Sequence, residues 1–264
     1  MLKQQLSFYK YQGAGNDFIM VDNRDMAFNH HFPDKIAKLC DRRFGVGGDG
    51  IMFLELTEGF DFKMVYYNAD GNPSSMCGNG GRCIVAFAKF LGIIDYETNF
   101  LAVDGPHYAK IADSGDWVSL QMIDVEQIKK DGDDFVLNTG SPHYVKFADD
   151  VANKNVFTEG RAIRYNNTYS KEGININFVE DKNDYLLVRT YERGVEDETY
   201  ACGTGVTAVA LANAYANNTI GYSETAIKVL GGDLNIRFNY DGKKFDHIFL
   251  EGPAKQVFKG EIAF

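Results

Sequence analysis

Two short motifs carry the residues best suited to chemistry in this sequence. Cys77-Gly78-Asn79-Gly80 and Cys202-Gly203-Thr204-Gly205 each set a cysteine just before a run of small and apolar residues. Those runs, over 80–91 and 205–215, read as helices. A helix start leaves its first N–H groups without intrahelical acceptors and carries the positive end of the dipole. A thiol there shifts toward thiolate, and the same N–H groups can hold a carboxylate. Glycines beside the sulfur let a ligand approach the backbone closely. Two such thiols on opposite sides of one carbon, one charged and one neutral, could take a proton from one face and return another to the opposite face. Helix N-termini would stabilise the charge that builds on the carboxylate meanwhile. A lone buried cysteine is more often a small hydrophobe. That reading is kept for Cys40, at the end of the first predicted helix, and for Cys83, inside an apolar run.

The elements that must hold these motifs repeat. Both helical segments are small or apolar on nearly every face, so each has to be enclosed by other structure. β-rich stretches follow each one, at 98–111 and 117–123 and again at 226–238 and 247–251. About twenty residues beyond each cysteine motif Glu97-Thr98 matches Glu224-Thr225, and Gly105, Lys110 and Ile111 then align with Gly232, Arg237 and Phe238. The pattern predicts a duplication and an α+β fold of two pseudo-symmetric domains. Each is expected to be a curved, mostly antiparallel sheet or barrel wrapped round a central helix, with the active site in the cleft between them. The boundary is expected in the charged stretch 124–134, giving domains 1–126 and 127–264, with the C-terminal end left open to return to the first half. Ahead of the first motif the pattern predicts strands at 6–10 and 18–22, a helix at 33–42, a glycine-rich turn at 45–50, and strands at 51–56 and 61–68.

Composition narrows the function classes. The chain has 264 residues, 45% of them hydrophobic and 24% charged, as in an ordinary globular protein. Its net charge of −10 argues against nucleic acid or an anionic membrane as partner, because a phosphate binder needs a basic face. The long uncharged stretch at 200–223 contains Thr204, Thr207, Asn213, Asn217 and Asn218, so no membrane span is expected. No signal peptide is expected from residues 1–11, and four cysteines make no disulfide scaffold. A cytoplasmic location is the expectation.

With these motifs in hand, the sequence resembles the diaminopimelate epimerase family. The likeness rests on Gly13-Ala14-Gly15-Asn16-Asp17-Phe18, on 45–50, on Asn68-Ala69-Asp70-Gly71, and on 76–82 around Cys77. It continues through Thr139-Gly140-Ser141-Pro142-His143, Gly173-Ile174-Asn175-Ile176-Asn177-Phe178 and Tyr191-Glu192-Arg193-Gly194 into 198–205 around Cys202. The resemblance implies inversion of one α-centre of LL-diaminopimelate to the meso form, for lysine and peptidoglycan precursors, without pyridoxal phosphate or any other cofactor, and with no metal. It implies Cys77 as the donating thiol and Cys202 as the accepting thiolate in that direction. Gly78, Asn79, Gly203 and Thr204 would lie on the reacting carboxylate. Asn16, Asn68, Asn175 and Arg193 would hold the two amino-acid ends, with the fork of Arg193 on the distal carboxylate. Glu192 would take the substrate ammonium and, with His143, adjust the cysteine pKa values. A homodimer is implied as well. Gly50 stands where some members carry glutamine, Ser141 where others carry asparagine, and Phe258 where others carry an interface tyrosine; the 193–202 loop is one residue longer than in some members.

Other patterns are weaker. Residues 45–50 fit G-x-G-x-x-G, but a helix precedes them and a strand follows, the reverse of a dinucleotide site, so a turn is expected. His30-His31 has no further ligand pattern, and His143 lacks a G-x-S-x-G elbow. A proline or hydroxyproline racemase of the same fold is the near alternative. Proline would leave Asn68, Asn175 and Arg193 with nothing to hold. A thiol–disulfide protein is disfavoured because no C-x-x-C occurs. A protein of this fold that only binds is the third reading.

Overall fold

The computed structural model describes residues 5–74 and 76–263. The chain divides into two compact units, one running to Leu120 and resumed from Pro253, the other spanning Gln121–Gly252. The first holds strands β1 (Gln5–Gly13), β2 (Asn16–Asp22), β3 (Gly50–Glu55), β4 (Phe62–Asn68), β5 (Glu97–Ala102), β6 (Gly105–Ile111), β7 (Trp117–Gln121) and the C-terminal β17 (Lys255–Ala263). Helix α1 (Pro33–Cys40) joins β2 to β3, and α2 (Gly78–Phe90) joins β4 to β5. The second holds β8 (Ile128–Asp131), β9 (Asp134–Asn138), β10 (Pro142–Phe147), β11 (Asn175–Asp181), β12 (Leu186–Glu192), β13 (Asp197–Thr199), β14 (Gly221–Val229), β15 (Gly232–Tyr240) and β16 (Phe245–Pro253). Here α3 (Val156–Arg164) joins β10 to β11, and α4 (Gly203–Ala216) leads into β14.

The two units pair their strands in the same order. In the first, β17, β1 and β2 are antiparallel neighbours, β2 and β3 are parallel, β3 and β4 antiparallel, β4 and β5 parallel, and β5, β6 and β7 antiparallel. In the second, β8, β9 and β10 are antiparallel, β10 and β11 parallel, β11 and β12 antiparallel, β12 and β14 parallel, and β14, β15 and β16 antiparallel. Each parallel pair needs a crossover, and a helix supplies it every time. The cysteine motifs open the second crossover helix of each unit. This repeat of sheet order is the architecture the internal alignment anticipated.

Burial explains why these sequences form these elements. Strands β2 and β3 are covered on both faces, which is why they read as nearly continuous apolar runs. Ile19, Val21, Ile51 and Phe53 face α1 through Ile36 and Leu39. Phe18 and Met52 on the opposite face meet Gly80 of α2. In α2 every residue from Gly78 to Ala88 is buried, and in α4 nearly every residue is. Each of Ile84, Val85 and Phe87 contributes about 1.5–3 kcal/mol by leaving water. In the second unit Ile176 and Phe178 of β11 pack with Val156 and Tyr191 on the α3 side. Asn177, between them in the strand, points the other way, to Gly205 of α4.

Several expectations are adjusted. The charged run at 129–134 is a hairpin, β8 turning into β9 through Gly132 at φ 64, not a linker. The units divide earlier than residue 126, because Met122 and Val125 bond to Ile248 and Phe245 of the second unit. Between β1 and β2 the chain makes a tight turn with Ala14 and Gly15 at positive φ. The helices begin at Gly78 and Gly203, two residues ahead of the expected starts, because each cysteine takes the N-cap and the glycines fall in the first turn. Strands β8 to β13 and helix α3 had no expectation attached.

The buried Gly160 of α3 tests this packing. Alanine at a helix interior usually gains about 1 kcal/mol over glycine, yet a Cβ at Gly160 would lie 2.4 Å from Cβ of Tyr191. Overpacking outweighs propensity here. Gly160→Ala is expected to lose about 1–3 kcal/mol, read as a lower midpoint in chemical denaturation.

Candidate functional site

Cys77 is the N-cap of α2, extended at φ −114 and ψ 130, and its carbonyl accepts the first helical bond from Gly81 N–H at 2.6 Å. Cys202 caps α4 in the same way, at φ −117 and ψ 109, with Val206 N–H on its carbonyl at 2.9 Å. Neither helix has an acidic residue in its first turn, so no side-chain carboxylate of that turn answers the dipole. Cys77 is half-buried and Cys202 is 7% exposed. The other two cysteines differ in kind. Burial pushes the thiols of Cys40 and Cys83 up to about 12, which keeps both protonated.

Around Cys77, within the first unit, the structure gathers three expected residues. Asn79 Nδ2 donates to Asn16 Oδ1 at 2.5 Å, and Asn16 Nδ2 donates to Asp49 Oδ2 at 2.9 Å. Asn68 ends β4 opposite Gly50, and the next residue, Ala69, donates its N–H to the Asp49 carbonyl. The Asp49 and Asp17 carboxylates share Arg42, and Lys10 pairs with Asp17. Burial pushes the Asp17 carboxyl up, but hydrogen bonds from Arg42 and Lys10 overcome it and bring it down to about 2. Gly50 is required by its neighbours: a Cβ there would lie 2.4 Å from the Tyr67 carbonyl oxygen.

Around Cys202, within the second unit, the order of donors is fixed by one amide. Thr190 Oγ1 donates to Asn177 Oδ1 at 3.0 Å, so Asn177 Nδ2 faces the Tyr144 carbonyl at 3.0 Å and His143 Nδ1 at 3.2 Å. Nδ1 of His143 therefore accepts, and Nε2 carries the proton. Nε2 donates to Thr204 Oγ1 at 2.9 Å, which leaves the threonine hydroxyl to donate to Cys202 Sγ, 3.6 Å away. Burial, helped by Arg193, drives the His143 pKa down to about 3, so the ring is neutral at physiological pH. Beyond it lies a second cluster. Asn175 Nδ2 donates to Ser141 Oγ and the Pro142 carbonyl, Arg193 Nη2 reaches Ser141 Oγ at 3.3 Å, and Arg193 N–H donates to Asn175 Oδ1. Glu192, adjacent, accepts from Thr199 Oγ1 at 2.9 Å.

Asn177, the amide that fixes the His143 tautomer, was given no role by sequence reading. Asn177 had a signal: Asn175 and Asn177 share one face of an otherwise apolar strand, which asks for a polar neighbour on that side. The pattern at 45–50 resolves as the expected turn. Residues 45–50 close the end of α1, with N–H groups of Val46, Gly47 and Gly48 on carbonyls of Leu39 and Cys40. His30 bonds Tyr67 and Glu55 inside the core.

Comparison with known proteins fits this geometry to a family. A sequence profile described as diaminopimelate epimerase matches residues 8–127 and 135–257. This chain belongs to the diaminopimelate epimerase family. The diaminopimelate epimerase of Flavobacterium psychrophilum is 52% identical, covering 97% of this chain and 100% of its own. That of Chlorobaculum tepidum is 41% identical, covering 95% and 98%. Among solved structures, a phenazine biosynthesis protein of the PhzF family from Bacillus anthracis aligns at TM-score 0.76 with 15% identity, over 99% of this chain and 100% of that one. A hydroxyproline epimerase from Agrobacterium vitis aligns at TM-score 0.68 with 12% identity, over 100% and 94%. These two show the fold. Among the described residues of this diaminopimelate epimerase family member no helix is long and apolar enough to cross a membrane.

The neutral state of His143 has a sign that can be checked. A folded pKa below the unfolded value of about 6.5 gives stability that is present above about pH 6.5 and is lost as pH falls toward about 3. Its ring resonances are expected not to titrate between about pH 8 and about pH 5, and His143→Gln should flatten the pH dependence of the denaturation midpoint below neutrality.

Proposed function

We propose that this chain inverts one α-centre of LL-diaminopimelate to give the meso isomer, with Cys77 and Cys202 as the two acid–base groups. The observation that carries the reading is the placing of a cysteine at the N-cap of the second crossover helix in both units. In the LL-to-meso direction the Cys202 thiolate takes the α-proton from one face, and the Cys77 thiol supplies a proton to the other. Protons balance, no electrons leave the substrate, and the reverse reaction needs the opposite protonation of the same pair. The thiolate at Cys202 receives the Thr204 hydroxyl, itself oriented by neutral His143. Helix N–H groups at Gly78 and Asn79 and at Gly203 and Thr204 serve the reacting carboxylate as its negative charge grows.

Asn16 and Asn68 from the first unit, and Asn175, Glu192 and Arg193 from the second, bind the two amino-acid ends. Arg193 holds the distal carboxylate and Glu192 the substrate ammonium, and Glu192 joins His143 in adjusting the thiols. No cofactor enters this scheme. The product feeds lysine and peptidoglycan precursor synthesis in the cytoplasm. A homodimer is part of the same proposal, supported by Val257 and Phe258 of β17, both strongly exposed. Phe258→Glu should then lower the mass measured by light scattering from that of two copies to one.

The deciding assay is exchange of the α-hydrogen with solvent deuterium, followed by resolution of the stereoisomers. LL-Diaminopimelate should exchange and epimerise, and L-proline should not. Either Cys77→Ser or Cys202→Ser should lower kcat about 10²- to 10⁴-fold, the range of one general acid–base group. Undiminished turnover by the double variant would sink the proposal.

A further inference from the structure

Arg82 sits within the enclosed helix α2 and is 0% exposed. Its Nη1 donates to the Gly78 carbonyl at 3.2 Å and its Nη2 to Asn79 Oδ1 at 3.0 Å, while Nε has no hydrogen-bond partner among the described residues. The nearby ion pairs join Lys10 and Arg42 to Asp17 and Asp49, and none among the described residues includes Arg82. Those two cations and two carboxylates balance, so Arg82 is left as unneutralised charge. Burying such a cation costs several kcal/mol, and an apolar side chain of similar volume would avoid that cost. Burial accordingly pulls its pKa down to about 10.

The charge is compensated if a neighbour turns negative. Nη1 sits on the carbonyl of Gly78, the residue after the N-cap Cys77, and Cys83 follows Arg82 in the helix, so these two thiols are its titratable neighbours on α2. Cys83 stays a thiol, which leaves Cys77. The hydrogen bonds add a second argument. A guanidinium can only donate and a carboxylate can only accept. The relay from Arg82 through Asn79 and Asn16 to Asp49 therefore runs in one direction, and both amides are held in one orientation.

We infer that Arg82 is the positioning residue of the Cys77 half-site: it orients the amides of Asn79 and Asn16 and is the buried counter-charge of the Cys77 thiolate. This inference rests on the reading of Cys77 as an acid–base group. The meso-to-LL direction is the one that needs Cys77 as thiolate. The other titratable groups packed at this helix start are Cys83 on α2, Tyr11 of β1 beside it, and, through Asn16, the balanced cluster of Lys10, Asp17, Arg42 and Asp49.

The test compares Arg82→Met and Arg82→Lys with the parent. Alkylation of Cys77 by iodoacetamide, followed by peptide mass spectrometry across pH, reports its thiolate without requiring turnover. Arg82→Met should move that profile up by about one pH unit, slowing alkylation at neutral pH about 10-fold, and lower kcat on meso-diaminopimelate. Arg82→Lys retains the charge but not the fork, so it should keep the alkylation profile and raise KM. An unmoved profile in a folded Arg82→Met protein overturns the inference. So does failure of both variants to fold by circular dichroism, which would make Arg82 a packing residue. Failure of the two-cysteine reading shows separately, as turnover that survives Cys77→Ser.

Discussion

The first turn of an enclosed helix is the constraint on which this molecule depends. Helices α2 and α4 are apolar on nearly all sides, so the sheets that cover them exclude water along most of their length. The N–H groups of a first turn still need acceptors, and the dipole still ends there. Small residues at Gly78, Gly80, Gly203 and Gly205 keep side chains away from that end. At two of these positions a side chain would force its neighbours to move: a Cβ at Gly80 would meet the Met52 methyl at 2.1 Å, and one at Gly205 the Asn177 Oδ1 at 2.5 Å. A thiol at the N-cap, beside a positive helix end in a place of low dielectric, can then have its proton affinity set by a few neighbours.

The two units meet that constraint with different chemistry on the same topology. The first surrounds its helix start with charge: a buried guanidinium, two ordered amides and a balanced cluster of ion pairs. The second uses neutral groups. A histidine kept uncharged by burial passes one hydrogen bond to a threonine hydroxyl, and an asparagine locked by Thr190 decides the tautomer. A duplicated scaffold supplies equivalent backbone positions, while the side chains gathered at each helix start differ.

Much of the fold was legible because burial writes itself into sequence. Strands β2 and β3, covered on both faces, appear as unbroken apolar runs, and α2 and α4 lack any polar stripe. The internal alignment anticipated the repeated sheet order. Strands β8 to β13 were not legible. β8, β9 and β13 are only three to five residues long, and the hairpin at Gly132 is highly charged, so it imitates a linker.

What the sequence determined alone is local: that two enclosed helices occur, that a cysteine stands just before each, and that glycines follow. Those follow from neighbours along the chain, through periodicity, capping and side-chain size. What only tertiary structure decided is long-range. Asn16 lies 63 residues from Asn79, and His143 lies 61 residues from Thr204, yet each pair shares a hydrogen bond. Arg82 lies in a run whose sequence reads as enclosed, and only the sheet around α2 makes it a buried charge. The physical reason is that hydrogen bonds between distant segments, and the dielectric around them, exist only once the sheets have wrapped the helices.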